Sequence, residues 1–214
     1  MSQSIADIRR DYKRESLSEA DTDSNPFQQF KKWWDEAVKS DIDEVNAMTV
    51  ATATANGIPS SRILLLKGYD EQGFVFFTNY QSAKGKEIEQ NPHVALLFFW
   101  KELERQIRIT GTIEKISAKE SDIYFQSRPI GSRIGAWSSP QSSVIEDRKV
   151  IEDNFIKYEA QFEATGVPRP PHWGGYIVKP TLMEFWQGRS SRLHDRIQYT
   201  LTAHQTWNRE RLAP

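Results

Sequence analysis

The chain has 214 residues, room for one large domain or two small ones. Its 28 Lys and Arg balance 29 Asp and Glu at a formal net charge of -1, which excludes both a global basic field for nucleic acid and a solvating acidic tail. There is no cysteine, no apolar h-region in residues 1–10 and no apolar run near the ~18 residues of a membrane span, so thiol chemistry is excluded and a cytoplasmic protein with no membrane partner is expected.

Residues 1–24 are rich in Ser, Asp and Arg and read as a mobile arm with one short helix around Ile5–Arg14, followed by a single domain over 25–214. Asn25-Pro26 opens a helix as N-cap and first helical residue, and Phe27, Phe30, Trp34, Ala37 and Val38 recur at helical spacing as a core-facing stripe. From Ala47 the texture changes to short β-branched runs. Met48–Thr54 and Ser60–Lys67 are two strands of a hairpin turning at Asn56-Gly57. A strict period of two puts Arg62 on the face of Leu64 and Leu66, with Lys67 on the other face beside Ile63 and Leu65. An Arg among aliphatics requires a partner. Residues 70–73 turn the chain into a third strand, Phe74–Thr78, and Ser82 caps a short helix, Ala83–Gln90. Lys84 in its first turn opposes the helix dipole and suits a bound anion, or is an ordinary surface lysine.

Val94–Trp100 is apolar throughout and reads as a strand buried on both faces, while Arg105–Ile116 alternates. Ser117-Ala118-Lys119-Glu120 is a capping box for a helix to about Gln126, a second helix covers Ile130–Trp137, and a longer one covers Val144–Glu163. Trp173–Val178 is a further strand. Short strands with tight turns and helical insertions define an α+β fold built on an antiparallel barrel. Aromatics make up 12% of the chain, which fits a flat-ring ligand, a large interface or bulky core packing.

The stretch Glu184–Arg196 closes the reading. Gly188 and Ser190-Ser191 separate two strands, Leu182–Trp186 and Arg192–Tyr199, and period two places Arg192, His194 and Arg196 on one face of the second. Such a face answers an anionic or electron-rich partner, or is an edge strand with solvated arginines. No dinucleotide fingerprint, P-loop, Gly-x-Ser-x-Gly or metal-ligand spacing of histidines is present, so no metal site is expected. What remains is a scatter of anion-binding candidates: Arg62, Lys67, Lys84, Arg128, Arg133, Arg192 and Arg196.

The runs Glu184-Phe185-Trp186-Gln187-Gly188, Arg192-Leu193-His194-Asp195-Arg196 and Arg211-Leu212-Ala213-Pro214 closely resemble pyridoxine/pyridoxamine 5′-phosphate oxidases. The likeness extends through Arg9-Arg10-Asp11-Tyr12, Arg62–Lys67, Leu103–Gln106, Ser127–Pro129, Ile134–Trp137 and Gln141–Ser143, in order over nearly the whole chain. It implies an FMN-binding split β-barrel with peripheral helices, working as a homodimer with FMN at the interface. It also implies oxidation of pyridoxine or pyridoxamine 5′-phosphate to pyridoxal 5′-phosphate, with O₂ reduced to H₂O₂. FMN contacts are implied for Arg62, Ile63, Leu64, Leu65, Leu66, Lys67, Phe77, Thr78, Lys84, Gln106, Gln141, Ser142, Trp186 and Arg196. Substrate phosphate contacts are implied for Lys67, Tyr124, Arg128 and Ser132, and a place near the pyridine ring for Arg192, Leu193 and His194, with Arg192 and His194 as the catalytic pair. Arg9, Arg10, Asp11 and Tyr12 match the arm that covers the substrate in relatives. Two departures stand out. Relatives commonly carry two adjacent basic residues where this chain has Ala83-Lys84, and often Tyr where it has Phe77.

Overall fold

The computed structural model describes residues 4–8 and 11–214. Ser4 caps a single 3-10 turn, Ile5–Asp7, in place of the expected helix to Arg14. Asn25 accepts the N–H of Phe27 and Pro26 takes the first position of α1 (Pro26–Val38). The strands and helices that follow are β1 (Ala47–Ala53), β2 (Pro59–Leu65), β3 (Gly68–Asp70), β4 (Gly73–Asn79), α2 (Ala83–Gln90), β5 (His93–Trp100), β6 (Arg105–Lys115), α3 (Ala118–Ser127), α4 (Ile130–Ser138), α5 (Lys149–Phe162), β7 (Trp173–Gln187), β8 (Asp195–Leu201) and β9 (Trp207–Leu212). Strands neighbour one another in the order β2-β1-β5-β6-β7-β4-β3, with β8 against β7 and β9 against β8. The pairs β3 with β4, β4 with β7, β7 with β8 and β8 with β9 are all antiparallel. No helix among the described residues is long and apolar enough to cross a membrane.

The chain divides into two compact units, residues 1–50, 95–111 and 180–214 forming one and residues 51–94 and 112–179 the other. In the first, α1 buries Phe27, Phe30, Trp33 and Ala37. The ring of Trp33 meets Phe185 edge-on at 5.3 Å, Phe185 meets Tyr199 at 5.6 Å, and Phe30 meets Phe98 at 5.5 Å. The buried stripe is thus centred one residue earlier than expected: Trp34 lies at its margin, stacked on Phe30, and Val38 is exposed. In the second unit, Phe125, Ile134, Phe162, Val167 and Trp173 form a core beneath Phe77 and Tyr124.

Local signals explain most element ends. Gly57 at φ 79° turns the β1–β2 hairpin, and the capping box of Ser117 and Glu120 starts α3. Three expectations need correction. Burial in β5 alternates, with Phe99 about half exposed, because in this chain the strand has one covered face. The last helix starts at Lys149, five residues later than its expected start. Trp173–Val178 and Leu182–Trp186 are one strand, β7. Pro180 falls between the segment of β7 that pairs with β4, which ends at Val178, and the segment that pairs with β8, which begins at Leu182, so neither of these two ladders asks a bond of its missing N–H.

Candidate functional site

In the second unit a cavity of about 710 Å³ opens beside β2, between Lys67, the end of β4 and the start of α4. Three consecutive residues, Ile63, Leu64 and Leu65, line it, so the strand presents main chain as well as side chains. β2 ends the strand order, which leaves one row of its main-chain groups free for a ligand. Lys67 also lines the cavity. The expected alternation from Arg62 to Lys67 does not hold, because β2 stops at Leu65, Leu66 turns inward and Lys67 already donates its N–H to Val75. Phe77, Tyr124 and Trp173, also in the lining, form a nearly parallel cluster centred on Phe77, 3.8 Å from Tyr124 and 5.4 Å from Trp173. Arg128 caps α3 with its guanidinium 4.6 Å over Trp173. Its Nη1 is buried without a hydrogen-bond partner, and burial lowers its pKa. Ser132, Gln141 and Thr78 complete the lining, while Ser142 follows at φ 70°.

Arg62 has the partner its surroundings demand: it donates to Thr52 and Ser60 at 2.6 Å and pairs with Glu87 at 3.4 Å. Burial alone would raise the Glu87 pKa, but hydrogen bonds from Thr52 and Ser60 and the nearby Arg62 outweigh it, and Glu87 stays ionised to lower pH. Lys84 is the contrasting case. It is buried, among the described residues its Nζ reaches only the neutral Ser82 Oγ and Gln141 Oε1, both at 3.3 Å, and burial followed by repulsion from Arg62 lowers its pKa. No ion pair is made by Lys84 or Arg128 among the described residues. Gly85, behind Lys84, is required because a Cβ there would lie 2.0 Å from the Tyr80 carbonyl oxygen.

In the first unit the β7–β8 connection carries the other candidates. Arg192 and His194 are not on a strand face: Ser190–Arg192 is a 3-10 turn in which Ser191 and Arg192 have φ of 55° and 62°, and β8 begins only at Asp195. Two residues in the left-handed region redirect the chain, so Arg192, His194, Asp11 and Tyr12 line a cavity of about 590 Å³. His194 lies 4.5 Å from the Trp186 ring and its Nδ1 accepts the N–H of Arg189 at 3.1 Å, which leaves the proton of the neutral ring on Nε2. Burial, then Arg192, lowers its pKa. Arg196 does not join this cavity. It donates to both oxygens of buried Glu184, at 2.8 and 3.2 Å, and to the Ala213 carbonyl. Asp195 gathers Arg189, Arg211 and the N–H of Leu17. Leu193 is exposed, Gln106 is half-buried in β6, and Arg9 and Arg10 lie outside the described residues. Sequence pattern did not mark Glu87, Glu104, Glu184 or Trp173 as supports of these groups. Glu87 and Glu104 meet Arg62 and the amides of Lys13 and Arg14 across 25 or more residues of chain, Glu184 meets Arg108 and Arg196 across 76 and 12, and only Trp173, in an aromatic-rich strand, carried any local hint.

A nine-stranded sheet with an open edge strand, peripheral helices and, beside that edge, a buried lysine and a half-buried arginine without carboxylate partners among the described residues has the architecture of the split-barrel flavin-binding proteins. Structural relatives agree. PhzG from Burkholderia lata, solved with tetrahydrophenazine-1-carboxylic acid, superposes with a TM-score of 0.87 at 30% identity, covering 94% of this chain and 98% of that one. A pyridoxamine 5′-phosphate oxidase-related, FMN binding protein from Nostoc punctiforme shares the fold at a TM-score of 0.70 and 19% identity over 90% of this chain and 100% of that one. Residues 34–162 match the family model of pyridoxamine 5′-phosphate oxidase and residues 173–214 that of the pyridoxine 5′-phosphate oxidase C-terminal dimerisation region. Curated relatives named pyridoxine/pyridoxamine 5′-phosphate oxidase include one from Trichormus variabilis, 54% identical over 100% of both chains, and one from Ralstonia nicotianae, 56% identical over 99% of both. The chain belongs to the pyridoxine/pyridoxamine 5′-phosphate oxidase family.

The residues present fit FMN. A buried lysine without a carboxylate, at the capped start of α2, suits a phosphate, and the free edge of β2 offers main-chain partners to a planar heterocycle.

Proposed function

We propose that the chain is an FMN-dependent oxidase that converts pyridoxine 5′-phosphate and pyridoxamine 5′-phosphate to pyridoxal 5′-phosphate. The observation that carries this reading is the presence, in one unit, of two cations without a carboxylate partner among the described residues, each suited to a separate phosphate: buried Lys84, whose Nζ meets Gln141 of the cavity lining, and Arg128 in that lining, with its Nη1 orphaned. One phosphate would be that of FMN and the other that of the substrate. FMN, when bound, would supply the hydride acceptor, with O₂ as the final acceptor of the two electrons and H₂O₂ as its product. Lys67, Tyr124, Arg128 and Ser132 would hold the substrate phosphate, fixing the distance of C4′ from its oxidant. Arg192 would lie against the pyridine ring, and His194 would donate through Nε2. The alcohol substrate loses two hydrogens, while the amine also takes up water and releases ammonia. Gln106, Trp186 and Arg196 would reach FMN. The cofactor would lie in an interface of a homodimer, the assembly after which the matched C-terminal region is named. A chain without cysteine suits a cytoplasmic setting.

The test is H₂O₂ release by the purified yellow holoenzyme with pyridoxine 5′-phosphate. Flavin-loaded protein inert to both B6 phosphates would point to another aromatic substrate, and flavin that no B6 vitamer reduces anaerobically would point to a binding module.

A further inference from the structure

Glu104 belongs to none of the anion seats, yet it is built at local cost. It ends the 3-10 turn Lys101–Leu103 in the left-handed region, at φ 54° and ψ 37°, where a non-glycine side chain is unfavourable. The residue is 7% exposed, and its carboxylate has no basic side chain within ion-pair distance among the described residues. Instead Oε2 accepts two successive main-chain N–H groups, from Lys13 at 2.9 Å and Arg14 at 3.0 Å. Consecutive amides converging on one oxygen form a small anion nest, here filled by the protein itself. The backbone of the same residue holds the opposite partner: its carbonyl accepts the N–H of Gly188 at 2.8 Å and Nε2 of Gln187 at 3.3 Å. Glu104 therefore grips the arm with its side chain and the root of the Arg192–His194 connection with its main chain.

Tyr12 sits where the two grips meet. It packs on Gly188 so closely that a Cβ there would come within 2.8 Å of its ring. It meets Trp186 edge-on at 5.8 Å and His194 at 6.1 Å. A neutral or apolar residue would close the turn equally well, so a buried carboxylate at a strained position is explained by what it holds. We propose that Glu104 is a positioning residue for the reaction: its carboxylate fixes the register of the arm so that Tyr12 forms the wall of the Arg192–His194 cavity, an inference that rests on the oxidase reading of that cavity.

The experiment compares holoenzymes of the natural chain, Glu104→Asp and Glu104→Gln. Asp keeps the charge and tolerates the left-handed conformation better than Glu, but is one methylene short, whereas Gln keeps the reach and a carbonyl acceptor. In Glu104→Asp, amide exchange at Lys13 and Arg14 and tryptic cleavage at those residues should rise about tenfold or more, and KM for pyridoxine 5′-phosphate about tenfold, with kcat within about twofold and flavin content unchanged. Glu104→Gln should bring all of these back to within about threefold of the natural enzyme. Adding Tyr12→Ala to Glu104→Asp should raise KM no further than Tyr12→Ala alone, because both act through one contact. Unchanged exchange and cleavage in Glu104→Asp, or additive effects of the two substitutions, would overturn the proposal. Exchange is read without turnover, so a natural protein inert to B6 phosphates would count against the cavity's reading, and unaltered protection in Glu104→Asp would count against Glu104 itself.

Discussion

Two groups of cations in this molecule differ in how their charge is met. Beside the edge strand β2, Lys84 is withdrawn from water and Arg128 half-buried with its Nη1 withdrawn, and neither has a carboxylate within ion-pair distance among the described residues. Around the β7–β8 connection, Arg189, Arg196 and Arg211 are each held by Asp195, Glu184 or Glu19. A buried cation left without a counter-ion marks a place where an external anion completes the structure. One chelated internally is framework, and its spare donors are what remain for a ligand.

The largest expected effect breaks the first group at its substrate end. Arg128→Met should lower kcat/KM for pyridoxine 5′-phosphate roughly a hundredfold or more, since two charge-assisted hydrogen bonds are worth roughly 1.5–3 kcal/mol each. Flavin content should stay normal, and a fall of less than about threefold would remove Arg128 from the phosphate seat. The next pair sharpens the contrast directly through urea denaturation of the apoprotein. Arg196→Leu strands Glu184, 2% exposed, with only Arg108 beside it among the described residues, and should cost about 2 kcal/mol, less than the roughly 3–5 kcal/mol of a fully orphaned charge. Lys84→Met should leave apoprotein stability unchanged or about 1 kcal/mol higher, while weakening FMN binding about tenfold to a hundredfold. Equal destabilisation by both would erase the distinction between the groups.

The smallest effect is electrostatic and lies on the exposed rim of the framework. The hydrogen bonds of Arg211 lower the Glu19 carboxyl from its ordinary 4.5 to about 2. A depressed carboxylate contributes stability that is complete above the unfolded value and disappears as pH falls through the folded one. The stability gap between the natural chain and Glu19→Gln should therefore be small at pH 7, because the pair is solvent-screened, and should close between about pH 4.5 and about pH 2. A gap that persisted at the acid end would mean that Glu19 acts through packing.

Whatever depended on neighbours in sequence was legible. Asn25-Pro26, Asn56-Gly57 and Ser117 with Glu120 each mark an element end because a cap or a turn is satisfied within a few residues. The face of α1 was displaced by one residue because periodicity alone does not choose between adjacent tryptophans; the contact of Trp33 with Phe185 does. The site was legible mainly through family resemblance, which named Lys67, Phe77, Thr78, Tyr124, Arg128, Ser132 and Gln141, all now found around one cavity. Period-two reasoning failed at Arg192 and His194, since non-glycine residues at positive φ are set by tertiary context that a pattern of side chains does not encode. The carboxylates that organise the cations were invisible for the same reason.

The unbroken course of β7 governs when this chain becomes a protein during synthesis. Its first half supplies the partner of β4, about a hundred residues upstream, and its second half supplies the partner of β8. Neither compact unit has its full complement of strands until the last fifth of the chain has left the ribosome, so α1 and β4 wait with apolar faces uncovered for most of translation. Folding is bound to be late and dominated by long-range pairing. The nascent chain is thus a natural client for chaperones, and loss of the C-terminal forty residues would remove a structural member of both units at once.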